Sequence, residues 1–220
     1  MVMPTTNHLF KSDIQEMGYK LFLPNGYVGN KNEFFPLILF LHGIKRRGND
    51  LSLLDGYGLM QIAEQDPGFN YIVITPQCPI NTFWPENHLI LVELVNRLIR
   101  EYRVDQSRIY LTGFSMGGNG VWDLAAKTRG LFAAAVPIAG WYESNEAQNL
   151  THIPIWVFHG EKDDVVPVSY SESMVNAIKR IDGDIKFTRY SDFDHSHNVM
   201  KETFTNPELY SWLEMNKKTD

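Results

Sequence analysis

The hexapeptide Gly113-Phe114-Ser115-Met116-Gly117-Gly118 joins two segments of opposite periodicity, a junction that few folds accommodate. Ahead of it, Arg108-Ile109-Tyr110-Leu111-Thr112 is apolar and partly β-branched and reads as a buried strand; behind it, Asn119 to Lys127 reads as a helix. A serine on a sharp strand-to-helix turn has its hydroxyl pushed out at the edge of the sheet. Glycines around it allow a tight turn and a close approach of strand and helix. The helix N-terminus then offers unpaired N–H groups where an oxyanion would develop. An ordinary glycine-rich turn with an incidental serine has the same pentapeptide, so the rest of the chain must arbitrate.

The remaining apolar runs repeat the strand–helix theme. Tyr19 to Leu23 reads as a strand closed by Pro24-Asn25-Gly26, and Pro36 to Leu41 is a continuous apolar run of the kind buried on both faces of a parallel sheet. Asn49 to Gly68 reads as a loop with a short helix. Further strands are predicted at Tyr71–Thr75, within Leu131–Ile138, at Ile155–Phe158 and at Ile185–Tyr190. The clearest helix is Asn87–Tyr102, with Leu91, Leu94, Val95, Leu98 and Tyr102 at three- and four-residue steps. Ser169 and Glu172 have the spacing of a capping box for a helix carrying Met174, Ala177, Ile178 and Ile181, which Gly183 ends; Pro207–Asn216 is a closing helix. Strands alternating with helices imply right-handed crossovers and a mostly parallel central sheet covered on both faces, here as one α/β domain over residues 1–220. Ligands of such sheets bind at the carboxyl ends of the strands.

Composition excludes several classes. Twenty basic against 26 acidic residues give a net charge of −6, and no basic run exceeds Lys45-Arg46-Arg47, so a nucleic-acid partner is not expected. The single cysteine, Cys78, forms no internal disulfide and reads as a small buried hydrophobe. No apolar run reaches the roughly 18–20 residues of a membrane span. Met1 to Phe10 lacks the basic and apolar regions of a signal peptide, which predicts a cytoplasmic protein. Neither G-x-G-x-x-G after the first strand nor G-x-x-x-x-G-K-[ST] occurs, so no nucleotide cofactor is expected.

A serine hydroxyl needs a general base, and the base an orienting partner. With the chain order serine, acid, histidine, both come from strand ends after Ser115. The Ile155–Phe158 strand runs into His159-Gly160-Glu161-Lys162-Asp163-Asp164-Val165-Val166-Pro167, and the last strand runs into Asp192-Phe193-Asp194-His195-Ser196-His197-Asn198. Spacing does not choose between Asp163 and Asp164, nor between His195 and His197.

Taken together, these segments resemble the α/β-hydrolase superfamily, in particular small carboxylesterases and phospholipase-like enzymes of the dienelactone-hydrolase and prolyl-oligopeptidase-like type. The resemblance is carried by Leu41-His42-Gly43 with Arg47-Gly48-Asn49-Asp50, by Thr75-Pro76-Gln77-Cys78-Pro79 with Trp84, and by the serine turn. It continues through His159-Gly160 to Asp163…Val166-Pro167, then His197-Asn198 and Pro207 to Leu213. It implies an α/β-hydrolase fold with a minimal cap and a serine carboxylesterase that uses no cofactor or metal on a small-molecule ester. It selects Asp163, which stands two residues before Val-Pro, and His197, which is followed by Asn. It implies an oxyanion hole from the backbone N–H groups of Ile44 and Met116. Two stretches depart from the family pattern: Ile44-Lys45-Arg46-Arg47 after His-Gly, and Asp194-His195-Ser196 in place of Gly-x-Gly before the histidine.

Other residues have plainer or rival readings. His42 reads as a structural imidazole steadying the oxyanion loop. Trp84, Trp141 and Tyr142 fall on loops at strand ends and are candidates for lining a substrate pocket. His195 and His197 with Asp192 and Asp194 supply four metal-ligating groups in six residues, but in a loop and without a separate third-ligand motif. Trp141 to His152 is the only candidate cover, and its shortness predicts short- to medium-chain esters. A peptidase or lysophospholipase, or a non-catalytic binding protein, is compatible with the same scaffold.

Overall fold

The structure, a computed structural model, describes residues 5–13, 15–29 and 31–218. Its strands are β1 (Thr6–Lys11), β2 (Glu16–Phe22), β3 (Phe35–Leu41), β4 (Ile72–Pro76), β5 (Val104–Phe114), β6 (Ala134–Ile138), β7 (Ile155–Gly160) and β8 (Ile185–Tyr190). The helices are α1 (Gly58–Gln65), α2 (His88–Glu101), α3 (Met116–Lys127), α4 (Ser169–Lys179), α5 (His197–Thr205) and α6 (Pro207–Met215). All eight strands form one sheet in the order β1-β2-β4-β3-β5-β6-β7-β8. Only β2 runs against its neighbours; the pairs from β4 through β8 are parallel.

The continuous apolar runs explain the layering. Alternate residues of a strand point to opposite faces, so a strand covered on both sides must be apolar throughout. Leu37, Leu39 and Leu41 of β3 pack with Ile109 and Leu111 of β5 beneath α2 and α3. Ile38 and Phe40 pack on the other face with Tyr110 and Val136, beneath α1, α5 and α6. The predicted mostly parallel sheet with helices on both faces is therefore the observed one.

Three details differ from expectation. Strand β1 was not predicted, because it is an edge strand and only Phe10 of its six residues is buried. Helix α5 was not predicted either. Helix α4 starts at Ser169 without a side-chain cap, and Glu172 instead pairs with Arg189 on β8, so the capping box does not form. The candidate cover between β6 and β7 folds into a 3-10 stretch, Ser144–Leu150, that packs on α3 and α4. Among the described residues no helix is long and apolar enough to cross a membrane.

Candidate active site

Ser115 sits between β5 and α3 with φ 58° and ψ −117°, a conformation that side chains rarely adopt. Holding a non-glycine residue there costs on the order of 1–3 kcal/mol. The strain is carried by the serine itself; the flanking glycines provide space instead. A Cβ on Gly117 would lie 1.9 Å from the carbonyl oxygen of Leu41, so α3 rests directly on the backbone of β3. This contact and the bond from Ser115 N–H to the Ile138 carbonyl fix the serine at the carboxyl end of the sheet.

Asp163 lies on the loop after β7 and is buried, whereas Asp164 is exposed. Its Oδ1 accepts hydrogen bonds from Val165 N–H (3.0 Å) and Val166 N–H (2.7 Å). Burial pushes its pKa up, but hydrogen bonds from His159, His195 and the Val166 N–H outweigh it and hold the carboxyl well below the usual range.

The histidine that meets both groups is His195. Its Nδ1 stands 2.7 Å from Asp163 Oδ2 and its Nε2 2.8 Å from Ser115 Oγ. A carboxylate only accepts, so Nδ1 carries the hydrogen and Nε2 accepts from the serine hydroxyl. The ring stacks on Phe114, the residue before the serine, with centroids 4.9 Å apart.

His197, the histidine selected by resemblance, is not in this chain of bonds. It is the first residue of α5, and Ser196 caps that helix by accepting from Asn198 N–H. The start of the helix turns the His197 ring onto Tyr57, edge-on at 5.3 Å. Burial lowers its pKa, and the charges of Arg46 and Lys45 lower it further. A signal for this existed in the sequence: Ser196 is followed by Val199, Met200, Thr203 and Phe204 at helical spacing. That pattern starts a helix at position 197 and leaves His195 in the loop that reaches back. Of the four groups in the metal reading, Asp192 pairs with Lys162 at 2.8 Å, and among the described residues no three His, Cys, Asp or Glu side chains are placed to hold a metal ion.

The loop after β3 is braced from below. His42 is fully buried; its Nε2 accepts from Cys78 N–H (3.0 Å) and its Nδ1 donates to the Gly43 carbonyl (2.7 Å). Burial pushes its pKa down to about 4, against the opposing effect of the Gly43 carbonyl, so the ring is neutral near pH 7. Gln77 donates to the carbonyls of Arg46 (3.0 Å) and Asp50 (2.8 Å), tying the loop to the end of β4. Ile44 opens a 3-10 turn and Met116 opens α3, positions whose N–H groups have no acceptor within their own helix.

Two clefts meet at the serine. One, of about 290 Å³, is lined by Ile44, Ser115, Met116, Trp141, Val165 and Tyr170 among others and is mainly apolar. The second, of about 350 Å³, contains His195, His197, Tyr57, Lys45 and Arg46. Arg46 lies over the Tyr57 ring at 4.7 Å, and neither Arg46 nor Lys45 forms an ion pair among the described residues. Of the residues predicted to bind substrate, Trp141 lines the apolar cleft. Trp84 does not: it is 1% exposed, and its indole N–H donates to the His42 carbonyl beneath the site. Tyr142 packs beside α3, where Asp123 faces its hydroxyl. The basic rim belongs to the stretch Ile44–Arg47 that departs from the family pattern, whereas Val165 and Tyr170 were not singled out as cleft residues, because clefts are assembled from loops that no short pattern relates.

Comparison with known proteins identifies the family and the fold. The pattern of the dienelactone hydrolase family matches residues 4–216. The chain is 25% identical over 184 residues to a bifunctional acetylxylan esterase/xylanase of Neocallimastix patriciarum, covering 80% of this chain and 26% of that protein. It is 35% identical over 77 residues to a cutinase of Thermobifida alba, covering 34% of this chain and 25% of the cutinase. The crystal structure of a thermostable esterase superposes with a TM-score of 0.83 at 32% identity, covering 97% of this chain and 63% of that one. The chain thus spans about a quarter of each of the first two relatives and less than two thirds of the third.

Proposed function

This chain belongs to the dienelactone hydrolase family, and on that premise we propose that it is a serine carboxylesterase acting on short- to medium-chain esters through an acyl-enzyme. The observation that carries the reading is the unbroken bond sequence Ser115 Oγ–His195 Nε2 and His195 Nδ1–Asp163 Oδ2.

In the proposed reaction His195 Nε2 removes the proton from Ser115 as Oγ attacks the ester carbonyl. Asp163 holds the ring in the tautomer that leaves Nε2 free and stabilises the imidazolium. The Met116 and Ile44 N–H groups take the tetrahedral oxyanion, each contributing roughly 3–4 kcal/mol in comparable sites. The imidazolium then protonates the departing alcohol, and a water activated by the same nitrogen releases the acid from Ser115.

This proton route orients the substrate. The leaving oxygen must lie within reach of His195 Nε2, and His195 lines the basic cleft and not the apolar one. The acyl group accordingly occupies the cleft of Met116, Trp141 and Tyr170. The alcohol half faces Lys45, Arg46 and Tyr57, where a polar or anionic leaving group is favoured.

The test is a 4-nitrophenyl ester series from acetate to palmitate, before and after a fluorophosphonate, with mass spectrometry of the adduct. Activity that declines with long chains, is lost on labelling and maps the label to Ser115 is the expected result. Turnover that survives labelling of Ser115, or a label elsewhere, overturns it.

A further inference from the structure

Asp163 faces His195 on one side and a second imidazole on the other. His159, in the penultimate position of β7, is fully buried. Its Nε2 donates to the Val166 carbonyl at 2.8 Å, and the same nitrogen lies 3.2 Å from Asp163 Oδ2. Its Nδ1 stands 2.8 Å from the hydroxyl of Ser171, which is itself buried in α4. Carbonyl and carboxylate oxygens only accept, so Nε2 must carry the hydrogen, and Nδ1 then accepts from Ser171. Tautomer and ring orientation therefore follow from the neighbours.

The consequence falls on Asp163. His159 pins the Val166 peptide by its carbonyl, and the N–H of that same residue holds Asp163 Oδ1. It also presents a positive N–H edge to Oδ2, the oxygen that His195 uses. A carboxylate surrounded by donors attracts a proton less strongly than a bare one.

Building on the triad assigned above, we propose that His159, its ring anchored on the far side by Ser171, is a positioning residue that fixes Asp163 and sets the pH at which His195 acts as a base. Removing its N–H edge and loosening Val166 both return charge to Oδ2. That stabilises the His195 imidazolium, so the acid limb of the kcat/KM profile moves to higher pH. A purely structural His159 would change the amount of folded enzyme and leave the limb where it was.

The experiment compares the pH dependence of kcat/KM on 4-nitrophenyl butyrate for the wild type, His159→Leu, His159→Gln and Ser171→Ala, with Ser115→Ala as control. In His159→Leu the limb is expected to rise by roughly half a unit, the effect of one hydrogen-bond-sized interaction shared between two acceptors. His159→Gln retains an N–H donor and restores the wild-type limb. Ser171→Ala removes a single oxygen from the far side of the ring; it gives a shift in the same direction and keeps the idea testable if leucine at 159 does not fold. Limbs unchanged in Ser171→Ala, and in His159→Leu where it folds, would overturn the proposal, as would a limb in His159→Gln displaced as far as in His159→Leu. Turnover persisting in Ser115→Ala would instead overturn the triad reading on which it rests.

Discussion

Ser115 and His195 reach the same point from different kinds of backbone. The serine lies between a strand and a helix whose main chains touch, so that a Cβ at Gly117 would approach the Leu41 carbonyl oxygen to 1.9 Å. The histidine hangs on the loop between β8 and α5. That loop is held by the bond from Lys162 N–H to the Phe193 carbonyl, by the close passage of Phe193 over Gly160, and by stacking on Phe114. Moving the serine requires β3 and α3 to part; moving the histidine requires only a loop to relax. Backbone packing therefore fixes Ser115, and side-chain bonds fix His195.

The strongest way to break the base side without touching the backbone is Asp163→Asn. Turning the amide NH2 toward His195 would force Nδ1 to accept, put the hydrogen on Nε2 and block proton removal from Ser115. We expect kcat to fall about 10³- to 10⁴-fold, as in comparable triads, with circular dichroism unchanged. A loss below tenfold would show that the orientation of His195 does not depend on this carboxylate.

A pair of glycine substitutions sharpens the contrast. Gly117→Ala should destabilise the protein by roughly 4 kcal/mol or more, read by denaturant unfolding, because the displaced atom is a backbone oxygen between β3 and α3. In Gly160→Ala the new Cβ would lie 2.2 Å from the Phe193 carbonyl oxygen, on the histidine loop. Its main effect is expected in kcat/KM, about 100-fold, the cost of misplacing a catalytic group by about an ångström. Equal stability losses at both sites would contradict the distinction drawn here.

The smallest effect concerns the cleft beside His195. Esters of 3-hydroxybenzoate and of its methyl ester, with the same butyryl group, differ in one charge on the leaving group. Lys45→Gln with Arg46→Gln should reduce the preference for the charged ester roughly three- to tenfold, the worth of one or two exposed charge contacts. An unchanged ratio would remove these residues from substrate selection.

The same contrast explains what could be read from the chain. The serine turn and the strands flanking it were legible because sheet burial demands continuous apolar runs, and the junction at Gly113–Gly118 has a local cause. Spacing left Asp163 and Asp164 open, and only the family resemblance selected Asp163, whose carboxylate accepts from the Val165 and Val166 N–H groups. The histidine that bonds Ser115 and Asp163 did not follow. Residues 195 and 197 are separated by a helix start, and family resemblance weighed the Asn after His197 above the capping serine before it. Trp84 was misread for a related reason: a tryptophan at a strand end is equally suited to a pocket and to bracing the loop beneath it. The edge strand β1 shows no apolar alternation to read.

The most direct measurement is the kcat/KM of His195→Ala and His197→Ala on 4-nitrophenyl butyrate, alongside the wild type. The bond sequence from Ser115 through His195 to Asp163 predicts a loss of about 10⁴-fold for His195→Ala and a change within about threefold for His197→Ala, whose ring rests on Tyr57. A severe loss at His197 with near-normal turnover at His195 would contradict the account.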